Sequence, residues 1–197
     1  MKTKIIAAFP GCGKSSFFKQ YPDLCLDSDS LNWSWLIKED GTKERHPEFP
    51  ENYIKHIKEN LGKVKWIFVN SHDVVRDALI ENELPFYLVY PSIDRKDEFL
   101  ENYVNRGNDD HFIQLVNNNF EKWVFDCSNT NSPFCLRVCM IEGYLIDELE
   151  TICKHDESDE IDSLTQIFNS IDLKDYMIDF PHLKNKDDCN DNNDTYN

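Results

Sequence analysis

Eight residues near the amino terminus, Ala8-Phe9-Pro10-Gly11-Cys12-Gly13-Lys14-Ser15, constrain this chain more than any other stretch. They join a short apolar run, Thr3-Lys4-Ile5-Ile6-Ala7-Ala8, to Lys14-Ser15-Ser16-Phe17-Phe18-Lys19-Gln20-Tyr21, which reads as a helix closed by Pro22. Strand, glycine turn, Lys-Ser and helix is the context in which the pattern G-x-x-x-x-G-K-[ST] binds phosphate. Gly11 and Gly13 allow positive φ and let backbone N–H groups approach the oxygens closely. The helix start adds its positive dipole end. Lys14 is expected to reach the β- and γ-phosphates, and the Ser15 hydroxyl to ligate magnesium. The expected ligands are ATP and Mg²⁺, held by Pro10, Gly11, Cys12, Gly13, Lys14, Ser15 and Ser16. Ala8 stands where the pattern has its first glycine, at the strand end, where a small residue suffices.

Composition narrows the partners. The formal charge is −16, and half of that excess lies in residues 151–197, with 4 Lys+Arg against 12 Asp+Glu. Nucleic-acid binders neutralise phosphates with basic patches, so a polyanionic polymer is disfavoured, and a small nucleotide or nucleoside is the expected partner. No apolar run approaches the roughly 18–20 residues of a membrane span, so no membrane partner is expected. Seven cysteines without a C-x-x-C pair suit free thiols in a reducing, cytoplasmic compartment.

Further strand-like runs are Leu24–Asp27, Val64–Val69, Phe86–Tyr90 and Phe134–Met140. Helical spacing is expected over residues 51–61, Val74–Asn82 with Asp73 as cap, 94–105, 110–124 and Tyr144–Cys153. Strands alternating with helices predict a mostly parallel sheet covered on both faces. Residues 1–153 are expected to form this domain and 154–183 an acidic helical extension. Residues 184–197, rich in Asp and Asn, are expected to form a disordered tail.

The Ala8–Ser15 segment resembles the phosphate loop of the P-loop nucleoside and nucleotide kinases, the adenylate-kinase-like branch that also contains polynucleotide kinases. Asp27-Ser28-Asp29-Ser30 and the stretch from Tyr90-Pro91 to Arg106-Gly107-Asn108 also look similar to small P-loop proteins of bacteriophages. The resemblance implies an α/β fold, a three-layer P-loop sandwich with a five-stranded sheet in the order 2-3-1-4-5. It implies an ATP-dependent phosphotransferase acting on a nucleoside, nucleotide or similar small hydroxyl acceptor. Rivals are a polynucleotide or modified-base kinase and a non-catalytic nucleotide-binding regulatory protein.

Carried onto this chain, the resemblance places an acidic residue just after the second strand. Asp29 is the expected proton acceptor and Asp27 a holder of magnesium, with turn capping as the structural alternative. It places an arginine lid after the fourth strand. Arg106 is the expected stabiliser of the transferring charge, with Arg95 and Lys96 beside it; Arg95 and Arg106 lie three helical turns apart and share a face. With Lys14, these make the expected catalytic set Lys14, Asp27, Asp29 and Arg106. One departure is that the strand through Val69 ends in Asn70-Ser71-His72 and not in an acid, which disfavours a motor ATPase or GTPase. Ser71 and His72 remain candidates for touching phosphate or substrate. Trp33 and Trp35, one residue apart, are expected to alternate onto one side as a stacking platform, with core burial as the alternative.

Overall fold

A computed structural model describes residues 2–149 and 152. The extension and tail predicted from residue 154 onward lie outside the described residues. Strands β1 (Lys4–Ala8), β2 (Cys25–Asp27), β5 (Trp66–Asn70), β6 (Phe86–Pro91) and β7 (Cys135–Met140) form one sheet in the order β2-β5-β1-β6-β7. All its pairings are parallel. Between β2 and β5 a separate antiparallel hairpin, β3 (Trp35–Ile37) with β4 (Lys43–Arg45), interrupts the numbering. Without those two, the sheet runs second, third, first, fourth and fifth strand.

The sheet forms because its middle strands have no polar face. All five residues of β1 are buried, so both faces of the central strand are covered. Lys4 is accommodated by donating Nζ to the Ile152 carbonyl at 2.8 Å and lying over the Trp66 and Tyr87 rings. Parallel strands need long crossovers, which the helices supply. They are α1 (Lys14–Gln20), α2 (Leu31–Ser34), α3 (Glu51–Asn60), α4 (Asp73–Glu81), α5 (Lys96–Asn105) and α6 (Asp110–Ser128). A 3₁₀ turn, Ile93–Arg95, leads into α5, and a last helical stretch covers residues 145–149. Phe17 of α1 meets Phe68 of β5 edge-on at 5.5 Å, and Phe9 is boxed by Phe99 of α5 and Phe120 and Trp123 of α6.

Three local expectations differ from this structure. Asp73 is the first residue of α4 and not its cap; His72 holds the N-cap position, and the Asp73 carboxylate only accepts from Val74 N. The residues after Ser30, to which the sequence pattern assigns no element, form α2 and the exposed hairpin. Trp33 and Trp35 therefore fall on different elements. Trp33 ends in α2 and stacks on His56 at 4.3 Å, while Trp35 stands on the hairpin beside Arg45, so they make no common platform.

Candidate functional site

The loop between β1 and α1 lies at the carboxyl ends of the parallel strands. Phe9 N donates to Val89 O, which roots the loop on β6, and Ala8 is in register with Asn70 of β5. Gly11 has φ +82° and Gly13 φ +103°. The helical ladder of α1 starts only with Phe17 N donating to Gly13 O, at 2.9 Å. The amides of Gly11, Gly13, Lys14, Ser15 and Ser16 thus have no acceptor among the described residues, and the Ser15 and Ser16 side chains are exposed. Five donors without an internal acceptor along one turn suit an anion.

The rest of the domain holds this loop in shape. Tyr103 of α5, itself buried, donates its hydroxyl to Pro10 O at 2.7 Å, and Leu145 N donates to Cys12 O at 2.9 Å. Cys12 points inward and is fully buried; burial pushes its thiol up to about 12, against the pull of Lys14 and Arg95. It is therefore a protonated filler, and what it brings to the cradle is backbone. A Cβ on Gly11 would lie 2.8 Å from the Tyr103 hydroxyl. Tyr103 cannot step aside, because its ring is wedged against Phe99 and Phe112. Gly11→Ala is expected to combine positive-φ strain of about 1–2 kcal/mol with a damaged hydrogen bond of about 1 kcal/mol. At roughly 2–4 °C per kcal/mol the melting temperature should fall by about 5–10 °C. Gly41→Ala, at φ +81° with nothing within 4 Å, supplies the control and should fall by about half as much. Equal losses in the two thermal melts would show that the Tyr103 contact does not matter.

Lys14 is half-buried and folds back over the strand end, its Nζ donating to Ala8 O at 2.6 Å and Phe9 O at 3.2 Å. Burial lowers its pKa below the usual value of 10.5; Arg106 lowers it further, while Cys12, Asp27 and Asp29 oppose the shift. The charges of Asp27, Asp29 and Arg106 therefore all act on Lys14, although the four residues come from three separate parts of the chain. The direction has a consequence for binding. Phosphate oxygens would stabilise the ammonium and raise the depressed pKa, so a phosphate ligand bound here would take up protons wherever the pH lies between the pKa of the free protein and the higher one of the complex. Titration calorimetry with ATP over an alkaline pH series, in buffers of different ionisation enthalpy, should record net proton uptake; proton release throughout would contradict a buried Lys14 beside the phosphates.

Asp27 closes β2 in register with Phe68, and its carboxylate makes no hydrogen bond or ion pair among the described residues. Asp29 is exposed, with Oδ1 accepting from Leu31 N at 2.9 Å, so one of its oxygens caps the start of α2 and the other is left over. Turn capping and availability coexist there. Arg106 is the exposed C-cap of α5. Its place is set by Gly107 at φ +74°, with Asn108 N donating to Tyr103 O and Gly107 N to Val104 O, the paired bonds of a Schellman ending.

The other lid candidates are committed elsewhere. Arg95 lies in the 3₁₀ turn, buried, with Nε and Nη2 on the Glu98 carboxylate at 2.8 and 2.6 Å and Nη2 also on Gly143 O. Lys96 pairs with Glu121 at 3.2 Å. Arg95 and Arg106 do not act as one exposed face: Arg95 is buried and Arg106 exposed, and α5 between them is anchored by Phe99 and Tyr103. His72 has its pKa lowered, chiefly by desolvation and also by Lys14 and Arg76, which leaves it a poor cation for phosphate at neutral pH. Ser71 is buried, its carbonyl accepting from Arg76.

Sequence reasoning missed Tyr103, which shapes the loop, and Tyr144, whose Cβ lies 3.7 Å from the position a Gly13 Cβ would take. Asn102 Nδ2 donates to the Tyr144 hydroxyl at 2.9 Å. Neither tyrosine carries a local signal, since Tyr103 meets Pro10 across 93 positions and Tyr144 bonds Asn102 across 42. Among the described residues no group of three or more His, Cys, Asp or Glu side chains is arranged to hold a metal by itself. Magnesium asks for less: it keeps several waters and shares phosphate oxygens, so one hydroxyl and one carboxylate fit it. Ser15 and the unpaired Asp27 are of that chemistry. Comparison with models of known protein families and with curated proteins finds no match.

Proposed function

We propose that this chain is an ATP-dependent phosphotransferase whose acceptor is a nucleoside, nucleotide or similar small hydroxyl compound. The observation that carries the reading is the loop itself, with five amides that have no internal acceptor and the Lys14 ammonium folded over the strand end, where Asp27, Asp29 and Arg106 all act on its charge. Phosphoryl transfer asks the protein mainly for positioning and for positive charge over the migrating group. In this reading the amides of Gly11 and Gly13–Ser16 hold the β- and γ-phosphates, and Lys14 leaves the Ala8 and Phe9 carbonyls to meet them. Ser15 and Asp27 would hold magnesium, which when bound neutralises phosphate charge. Asp29 accepts the acceptor's hydroxyl proton through its uncapped oxygen, and Arg106 faces the transferring charge. Incubation with γ-labelled ATP and magnesium, against nucleosides, nucleoside monophosphates and oligonucleotides, tests it. Label transfer to a small acceptor is the expected result; label transfer only to oligonucleotides moves the assignment to a polynucleotide kinase. ATP binding without transfer to any acceptor favours a nucleotide-binding regulator, a reading that Asn70, in place of an acid at the end of β5, also suits.

A further inference from the structure

The acceptor side of the site is marked by unused hydrogen-bonding atoms. Four buried side-chain polar atoms among the described residues have no partner: Ser28 Oγ, Asn52 Oδ1, Asn70 Oδ1 and Asn108 Oδ1. Ser28 lies in the segment that carries Asp27 and Asp29, Asn70 bonds Ser30 next to it, and Asn52 bonds Trp33 in the helix that follows. Ser28 sits between the two aspartates and is 4 % exposed, with its amide on Phe68 O and its carbonyl accepting from the Tyr53 hydroxyl. Asn70 ends β5 in register with Ala8, whose carbonyl holds Lys14, and its Nδ2 donates to Ser30 Oγ. Asn52 Nδ2 donates to Trp33 O and leaves its oxygen over. In each case one part of the residue is tied down and the remaining polar atom is buried and idle. Buried polar groups are normally satisfied, so such a cluster at a strand-end crevice points to a ligand that completes it.

The charges say which kind of ligand. A phosphate-bearing acceptor brings nearly two negative charges next to Asp27 and Asp29 and calls for arginines in a fork geometry. The chain has five arginines, and four are engaged elsewhere. Arg76 donates to Ser71 O and Cys127 Sγ, Arg95 is locked on Glu98, and Arg137 donates to Ser128 O. Arg45 lies on the hairpin between the Trp35 and Phe49 rings. Arg106 alone acts on Lys14, and the transferring phosphoryl group claims it. What the acceptor side offers is neutral: a serine hydroxyl and carboxamides beside two carboxylates. A hydroxyl both donates and accepts, so it satisfies either end of a carboxamide as well as Ser28.

We propose that the acceptor is an uncharged polyhydroxyl compound, of the nucleoside, pentose or polyol class, positioned by Ser28 and Asn70, and not a nucleoside monophosphate. This rests on the kinase reading and narrows it. The test uses the full chain with γ-labelled ATP and magnesium against adenosine, cytidine, guanosine, thymidine, their 5′-monophosphates, ribose and glycerol. Transfer to at least one uncharged compound, with kcat/KM at least about tenfold above that of any monophosphate, is the expected result. Ser28→Ala and Asn70→Ala should each raise the acceptor KM by about tenfold, the worth of one neutral hydrogen bond, with ATP affinity within about twofold. Preference for a monophosphate overturns the inference and leaves the kinase standing; transfer to no compound of the panel removes both. An unchanged acceptor KM in both variants, each checked for an intact thermal melt, also overturns it. Should either variant fail to fold, the wild-type preference between each nucleoside and its monophosphate decides.

Discussion

Replacing Lys14 with alanine should abolish measurable phosphoryl transfer and weaken ATP binding while the protein stays folded. Its ammonium is desolvated in the empty protein and tied only to the Ala8 and Phe9 carbonyls, an arrangement that costs the cation more than it returns. Phosphate reverses that balance. A hydrogen bond to a charged group contributes about 1.5–3 kcal/mol, so ATP affinity should fall by roughly 10- to 150-fold. Loss of a charge-stabilising donor costs a further factor of about 10²–10³ in turnover. The fold should tolerate the change, because the ammonium removed was itself poorly solvated and bonds only to two carbonyls of its own loop. Titration calorimetry showing unchanged ATP affinity in a normally melting Lys14→Ala protein would sink the assignment of the loop.

The second large effect concerns the three charges around Lys14. Asp29→Asn and Arg106→Ala should each lower kcat by about two decades or more, with the Michaelis constant for ATP nearly unchanged. Asparagine is the informative replacement at 29, because its side-chain oxygen still caps Leu31 N and a fall in rate then reports the lost charge and proton acceptor, not a melted α2. Arg106 is exposed at a helix end, so its removal disturbs little else. Asp27→Asn distinguishes the two acids. If it raises the magnesium requirement, Asp27 holds the metal; if it gives the larger loss of kcat at saturating magnesium, the proton acceptor lies two residues earlier. Full turnover in all of Asp27→Asn, Asp29→Asn and Arg106→Ala would dissolve the crevice and leave a nucleotide-binding protein.

The chain by itself determined whatever depends on neighbouring residues. The apolar run ending at Ala8, the two glycines, Lys14 and the helix after it are local, since glycine alone readily takes the φ values seen at positions 11 and 13. The parallel sheet was legible for the same reason: five apolar runs separated by helical spacing leave few other ways to bury strands that lack a polar face. Only the tertiary structure decided the rest, because it depends on contacts across long separations that no local period encodes. Arg95 looked like a helper of Arg106 until the Gly143 carbonyl, 48 positions away, joined its neighbour Glu98 in holding it. Trp33 and Trp35 looked like a pair until a turn set them on a helix and a hairpin, too short and too exposed to show a pattern. Tyr103, 93 positions from Pro10, shapes the loop through one hydrogen bond. Asn70 looked like a missing acid, and its register with Ala8 and its bond to Ser30 make it the link between the end of β1 and the segment that carries Asp27 and Asp29. Local chemistry chose the shape of the glycine turn and the lysine after it; packing and strand register chose which side chains surround them.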